Sequence, residues 1–316
     1  MDLRQLEAFA AVMSAGSVTG AGQMLGRSQP AVTRSIQELE QELGFPLFER
    51  SGPKVTPTHR AFSLYAEVES ALSGVRNVKQ RAVAISQQDN HHLRLVATSA
   101  LATGLLPAAL ARLPEGLRPQ QLQLQSLAPE KAIEAVLANT VDLGLVSLPL
   151  EHRGLTVHWI GEAPCVAVLA SDSPLAAEQS LSLTQLAEQV LISIANPYRF
   201  RRRINHAFAE QQLEPRQILE TNTSLNAMQM ARVGLGVALA DPVTAYGVAL
   251  QGVAVRPIAL DIPFFFGLIS PYASPLSEVA QALVASLADE ARHMLPGMRM
   301  HAPTEHDALL QRVYAP

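Results

Sequence analysis

The first sixty residues carry apolar positions at helical spacing, divided into three short segments by glycine. Leu3, Leu6, Phe9, Ala10 and Met13 recur every three or four residues until Ser14-Ala-Gly-Ser17 breaks the pattern, which predicts a first helix ending there. Ser17 is an N-cap for a second helix over Val18 to Leu25, and Gly26-Arg27-Ser28 provides a tight turn. A third helix, capped by Ser28, carries Pro30 in its first turn, where the missing amide has no partner to lose, and runs to about Leu43. Its apolar face is Val32, Ile36, Leu39 and Leu43; its polar face is Gln29, Thr33, Arg34 and Gln37. Gly44 stops it, Phe45 to Phe48 is an apolar turn, and Glu49 to Pro57, centred on Gly52-Pro53, reads as a two-stranded hairpin. Helix, turn, helix and hairpin form the plan of a winged helix-turn-helix, in which the helix after the turn enters the major groove of DNA.

From residue 60 to 88 the pattern lengthens. Leu64, Val68, Ala71, Val75, Val78, Ala82 and Ile85 advance by alternating steps of four and three, with no proline and a single glycine, Gly74. A helix of this length is a rod of roughly 40 Å, and its near-heptad stripe needs a partner, either the same helix of a second copy or its own domain. After the polar segment Gln87 to His92, strands alternate with helices. Strands are expected at Leu93 to Ala97, Leu122 to Leu127, Val141 to Val146, Cys165 to Ala170, Val190 to Ile194, Ile218 to Thr221, Gly236 to Ala240 and Phe264 to Ser270. Helices are expected up to Leu113, over Glu130 to Ala138, near Thr184, over Tyr198 to Gln212, Ser224 to Val233 and Leu276 to Met294. Such repetition implies parallel, doubly wound sheets in two lobes that close as a clamshell. The expected organisation is a winged helix-turn-helix over residues 1–59 and a linker and dimerisation helix over 60–88. A first lobe over 89–162 is completed by 264–296, a second lobe spans 163–263, and 297–316 forms a loosely held tail.

Charge narrows where nucleic acid could be held. The 316 residues carry 24 Lys and Arg against 28 Asp and Glu, a net of −4, so any DNA contact must be local. Residues 1–60 are themselves neutral, with six basic and six acidic side chains. The basic Arg27, Arg34, Arg50 and Lys54 fall on the turn, the polar face of the third helix and the wing, whereas Glu38, Glu40 and Glu42 gather toward that helix's far end. A mean hydropathy of +0.14 with no apolar run of membrane-spanning length, and an N-terminus without a charged-then-apolar leader, lead us to expect a bacterial-type cytoplasmic protein. Cys165 is the sole cysteine, which excludes an internal disulfide and a multi-cysteine metal site within one chain.

Several motifs carry a further resemblance. Leu3-Arg-Gln-Leu-Glu-Ala-Phe9, Gly16-Ser-Val-Thr19, Ser28-Gln-Pro-Ala-Val-Thr-Arg34, Leu39-Glu40, Leu43-Gly-Phe-Pro-Leu-Phe-Glu-Arg50 and Thr56-Pro-Thr58 stand in one order. Val141-Asp-Leu-Gly-Leu145, Ser173-Pro-Leu-Ala176 and Arg232-Val-Gly-Leu-Gly-Val237 follow. Together they make the chain similar to LysR-type transcriptional regulators over nearly its whole length. Phe45 to Thr58 and Ala231 to Pro271 most resemble the subgroup of the lysine-biosynthesis activator and the octopine and nopaline regulators. Gly20 and Gly22 depart from the family's usual alanines, and glycine inside a helix costs about 1 kcal/mol, so a less rigid second helix is expected. The resemblance implies a DNA-binding regulator whose effector domain is like a periplasmic binding protein. It also implies dimerisation through the long helix, pairing of dimers into tetramers on a partly palindromic operator, a small organic effector between the lobes, and contact with RNA polymerase.

The candidate DNA contacts are Gln29, Thr33 and Arg34 on base edges or nearby phosphates, Ser28 and the adjoining amides on a phosphate, and Arg50 and Lys54 on the backbone from the wing. Pro30 shapes the helix start and permits close approach. Candidate effector contacts sit at strand-to-helix turns: Thr98, Ser99, Ser126 and Ser147 in the first lobe, and Asn196, Tyr198, Arg199, Asn222, Thr223 and Asp241 in the second. Each Ser or Thr reads equally as an ordinary helix cap. Arg199 suits a carboxylate, Asp241 a cation or a turn, and Arg201, Arg202 and Arg203 read as a solvated face. An enzyme or a receptor with no DNA role are the competing classes. Cys165 has no neighbouring histidine, Ser99 has no Gly-x-Ser-x-Gly setting, His91-His92 are adjacent rather than convergent, and Gly234-Leu-Gly236 lacks the rest of a dinucleotide fingerprint. No catalytic constellation and no cofactor or metal site follow.

Overall fold

In a computed structural model of the chain, residues 1–51, 54–87, 92–147, 154–194, 200–272 and 275–314 are described. They divide into two compact units, residues 1–89 and 90–316.

The first unit opens with α1 (Leu3–Ala15), whose N-terminus is closed by a reciprocal pair of hydrogen bonds between Asp2 and Gln5. Helix α2 (Val18–Leu25) is capped by Ser17, whose hydroxyl accepts from the Gly20 amide at 3.1 Å. It ends at Gly26 with φ +63°, a left-handed conformation that glycine adopts without steric cost and that reverses the chain into α3 (Gln29–Leu43). Gly22 is buried where a Cβ would stand 2.7 Å from the Arg27 carbonyl oxygen. The glycine expected to soften α2 is therefore also what lets the turn close against it. Strands β1 (Phe48–Ser51) and β2 (Lys54–Pro57) pair antiparallel as the wing. Phe9, Val32, Ile36, Leu39, Leu47 and Phe48 form one core, with the Phe9 ring 5.8 Å from Phe48 and edge-on to Tyr65 at 6.2 Å.

Helix α4 (His59–Gln87) divides the apolar stripe read from sequence. Ala61, Val68 and Leu72 enter the core of this same unit, so the own-domain alternative holds for the first half of the helix. Farther along, Val75 and Val78 remain exposed, as does Phe62 on another flank.

The second unit begins with a strand–helix layer: β3 (His92–Ala97), α5 (Ser99–Gly104), α6 (Leu106–Ala111), β4 (Gln121–Ser126), α7 (Pro129–Leu137), β5 (Leu143–Ser147) and the long β6 (Leu155–Pro164). After Cys165 the chain enters a second sheet through β7 (Val166–Ala170). It continues with α8 (Leu183–Ala187), β8 (Val190–Ile194), α9 (Phe200–Glu210), β9 (Gln217–Thr221), α10 (Ser224–Arg232), β10 (Val237–Ala240), α11 (Pro242–Gly247) and β11 (Val253–Pro257). It then returns through β12 (Pro263–Pro271) to α12 (Glu278–Met294), β13 (Arg299–His301) and α13 (His306–Tyr314). The sheet orders are β13-β6-β12-β5-β3-β4 and β11-β7-β10-β8-β9.

Neither sheet is wholly parallel, contrary to the reading of strand–helix alternation. Among the described strands, β5, β3 and β4 run parallel in one lobe and β10, β8 and β9 in the other. The strands that cross between lobes pair antiparallel because the chain leaves the first lobe along β6 and comes back along β12 beside it. The tail also differs from expectation. Strand β13 adds to the edge of β6, and buried Glu162 on β6 accepts from His301 Nε2 at 2.6 Å, with Arg299 at 3.4 Å. Arg299 reaches Asp261 at 3.2 Å in the returning crossover, while Leu309 of α13 is buried with Ile160 and Phe265. A buried carboxylate must be partnered, and these partners come from the tail, which is therefore part of the lobe.

One apolar core runs through both lobes, joining Leu101 and Leu105 to Leu191, Leu239 and Val243. At its centre α5 and α11 cross with their backbones touching. A Cβ at Gly247 would collide with the Gly104 carbonyl and stand 2.7 Å from the Gly104 Cα. Overpacking of this kind costs about 1–3 kcal/mol. Gly247→Ala is expected to lower the calorimetric melting temperature by several degrees, whereas Gly74→Ala in α4, where a Cβ meets nothing within 4 Å, is expected to leave it unchanged or raise it. Equal melting temperatures for Gly247→Ala and the parent would show that the crossing is loose.

Candidate nucleic-acid interface and effector cleft

The core of the first unit determines which side of α3 meets water. With Val32, Ile36 and Leu39 buried, Ser28, Gln29, Pro30, Ala31 and Arg34 are exposed, and Thr33 is partly so. The structure thus brings five of the seven predicted DNA contacts, Ser28, Gln29, Pro30, Thr33 and Arg34, onto the first two turns of one helix. The Ser28 backbone is extended as an N-cap should be, but its side chain makes no capping hydrogen bond. The first amides of α3 are therefore left without that cap, at the positive end of the helix, in the arrangement that receives a phosphate.

Arg34 is bound to Glu38 one turn on, Nε to Oε1 at 2.8 Å, with both side chains in water. The hydrogen bond from Arg34 and its charge hold the Glu38 carboxyl below the usual range, and the same pairing raises Arg34. Gln29 Oε1 accepts from Thr19 Oγ1 at 3.4 Å, which ties α3 to α2. Arg27, grouped by sequence with the groove-facing cations, is instead a brace: its guanidinium lies 2.6 Å from Glu7 and 3.4 Å from the Arg4 carbonyl. Glu40 also has a task that its place on the acidic end did not reveal. Its carboxylate accepts from the Leu47 and Phe48 amides at 2.7 and 3.0 Å and so anchors the wing to α3. Arg50 and Lys54 stand on β1 and β2, in register with Val55 and Ser51; their side chains lie outside what is described.

In the first lobe Thr98, Ser126 and Ser147 occupy the carboxyl ends of three adjacent parallel strands, and Ser99 begins α5. Thr98 is 8% exposed and its hydroxyl has no hydrogen-bond partner. In the second lobe Asn222 and Thr223 follow β9, but Thr223 already accepts from the Asn226 amide and Asn222 from the Asn226 side chain. Asp241 is 1% exposed and caps α11, with Thr244 donating from its amide at 2.7 Å and its hydroxyl at 2.9 Å. Between a cationic contact and a cap, the geometry selects the cap. Asn196, Tyr198 and Arg199, at the end of β8, fall outside the described residues.

Two polar side chains were missed by sequence reasoning. Ser193 shares the inward face of β8 with Leu191, and its hydroxyl is buried and unpaired. Arg201, read as solvated, is 9% exposed because it shares a helical stripe with buried Ile204 and Phe208. That stripe of three and four residue steps was the available signal.

Comparison with known proteins agrees with this architecture. Residues 3–61 match the bacterial regulatory helix-turn-helix protein model of the lysR family, and residues 86–292 match the LysR substrate binding domain. The chain belongs to the LysR family of bacterial transcriptional regulators. Among LysR-family relatives, it is 29% identical to the transcriptional activator protein LysR of Escherichia coli over 91% of this chain and 92% of that one. It is 30% identical to the octopine catabolism/uptake operon regulatory protein OccR of Rhizobium meliloti over 83% and 86%. The LysR-family regulator CbnR superposes with a TM-score of 0.73 at 19% identity, covering 92% of this chain and 99% of that one. CbnR in complex with its target DNA gives 0.71 at 20% identity.

Burial raises the Asp241 carboxyl above its ordinary range, against the lowering effect of its hydrogen bonds to Ser224 and Thr244. A carboxyl held higher in the folded than in the unfolded chain holds its proton longer when folded, so stability falls as pH rises above the ordinary carboxylate range. Asp241→Asn keeps an acceptor for the Thr244 amide without the charge. Its thermal stability is expected to match the parent in acid and to exceed it increasingly toward neutral pH, and parallel melting-temperature profiles would refute this.

Proposed function

We propose that this LysR-family regulator works as a homo-oligomer that reads a dyad-symmetric operator through α3 and the wing, under control of a small organic effector held between its lobes. The single observation that carries the DNA reading is the uncapped N-terminus of α3, with Ser28, Gln29 and Arg34 exposed above a closed core. Ser28 and the neighbouring amides receive a phosphate, Gln29 and Arg34 reach base edges, Thr33 lies beside them, and Arg50 and Lys54 hold the backbone from the wing. The Arg34–Glu38 pair opens on binding, which is inexpensive because both side chains are in water. One such unit reads few base pairs. The uncovered Val75 and Val78 of α4 supply the contact with a second copy, and two-fold symmetry then sets paired half-sites. The working place of such a protein is the cytoplasm, and RNA polymerase is its partner at the promoter.

The effector reading rests on Thr98, Ser99, Ser126 and Ser147 at the ends of three adjacent parallel strands, with the unpaired Thr98 hydroxyl as its strongest element. An amino-acid-derived carboxylate suits these hydroxyls, with Arg199 as counter-charge. Likeness to the octopine-operon regulator supports the same class. An effector shifts the regulator only if it binds two lobe arrangements with different affinity, so its signature is a change in operator bending or spacing.

Fluorescence anisotropy with the flanking intergenic DNA tests the first reading. Arg34→Ala is expected to weaken binding about tenfold, while Glu38→Gln, which releases the guanidinium, is expected to strengthen it several-fold; no binding by the parent, or no change with Arg34→Ala, would sink the assignment. Val75→Glu with Val78→Glu is expected to lower the oligomer size in sedimentation velocity, and an unchanged sedimentation coefficient would remove α4 as the contact. A thermal-shift screen of amino acids, opines and related carboxylates, repeated with Thr98→Val, tests the cleft.

A further inference from the structure

A chamber of about 560 Å³ lies wholly within the second lobe, between α9 and the β8–β9 pair. Its walls are mostly apolar, with Leu191, Ile204, Phe208 and Leu239 buried and Ile218 at the exposed side. Pockets of this volume and lining hold small organic molecules, oriented by a few placed polar groups. Here the polar groups include two of the three buried side chains that are left with an unsatisfied atom among the described residues. Ser193, 2% exposed, has no partner for its hydroxyl, and Arg201, 9% exposed, donates no hydrogen bond from Nη1.

Such groups are costly to bury unpaired, and an unpaired buried donor in a native protein calls for an explanation. Arg201 is held in place by its Nε, which donates to Asn205 Oδ1 at 2.8 Å. Glu220 lies 3.3 Å from Nη1 but is half in water and makes no aligned hydrogen bond there, so it moderates the charge without filling the donor. A carboxylate can accept from a guanidinium and a hydroxyl together. With Glu214 on the lining and Glu220 beside Arg201, a doubly charged phosphate is repelled more strongly than a single carboxylate.

We infer that this chamber is a second small-molecule site, separate from the interlobe cleft, that binds a monocarboxylate with an apolar body, its carboxylate on Arg201 and Ser193. Occupation fills the space under α9 and satisfies both donors, so it stiffens α9 against the sheet. The site goes beyond the operator and cleft readings and depends on neither.

Isothermal titration of the full-length protein with octanoate and indole-3-acetate, against octanamide and indole-3-acetamide, tests it. Both acids are expected to bind, each at least tenfold more tightly than its amide. Arg201→Met is expected to abolish the difference between acid and amide, Ser193→Ala to weaken the acids several-fold, and Ala209→Trp, at an exposed lining position, to block acids and amides alike. Circular dichroism and melting curves identify a variant that has failed to fold, and Ser193→Ala, which removes a single oxygen, then carries the test. Failure of both acids to bind the parent, or acid binding by Ser193→Ala and Ala209→Trp as tight as the parent's, overturns the site. So does a sedimentation change in Ala209→Trp with acid binding retained, which would make the groove a contact between copies. Because the readout is direct binding, these outcomes leave the anisotropy result on DNA untouched.

Discussion

Val32, Ile36 and Leu39 are removed from water in the core that holds Phe9 and Leu47, and that burial fixes the rotation of α3 about its own axis. Burial of one such side chain stabilises by about 1.5–3 kcal/mol, so turning the helix to hide Gln29 or Arg34 instead would expose three of them together. The exposed polar face of α3, proposed above to meet DNA, is thus the complement of the core. Everything else in the first unit supports that orientation: Gly26 turns the chain, Arg27 braces the turn on Glu7, and Glu40 ties the wing's first amides to α3.

A regulator with a net charge of −4 gains little from bulk electrostatics, so its grip on DNA depends on where single charges stand. Glu38 holds Arg34 along the helix surface while the protein is free. An exposed pair of this kind contributes little to stability, so Arg34 leaves Glu38 for another anion at small cost.

The lobes of the second unit are joined more closely than two domains on a hinge. They share an apolar core, α5 and α11 touch backbone to backbone, and Arg299 links the two crossovers through Glu162 and Asp261. Interiors this dense shift between discrete packings more readily than they deform.

Periodicity and turn chemistry by themselves determined the elements of the first unit, because helix length, capping and the buried stripe are all local properties of the chain from Leu3 to Pro57. They also gave the alternation of strands and helices and the strand-end positions of Thr98, Ser126 and Ser147. The direction of β6, β12 and β13 was decided by tertiary structure, since pairing partners far apart in sequence fix whether a strand runs parallel. Long-range packing likewise turned Asp241 and Glu162 inward, gave Arg27 and Glu40 structural tasks, and buried Arg201. A charged residue shows its surroundings only once the segments around it have come together, because its own side chain is equally compatible with water and with a partner in the core.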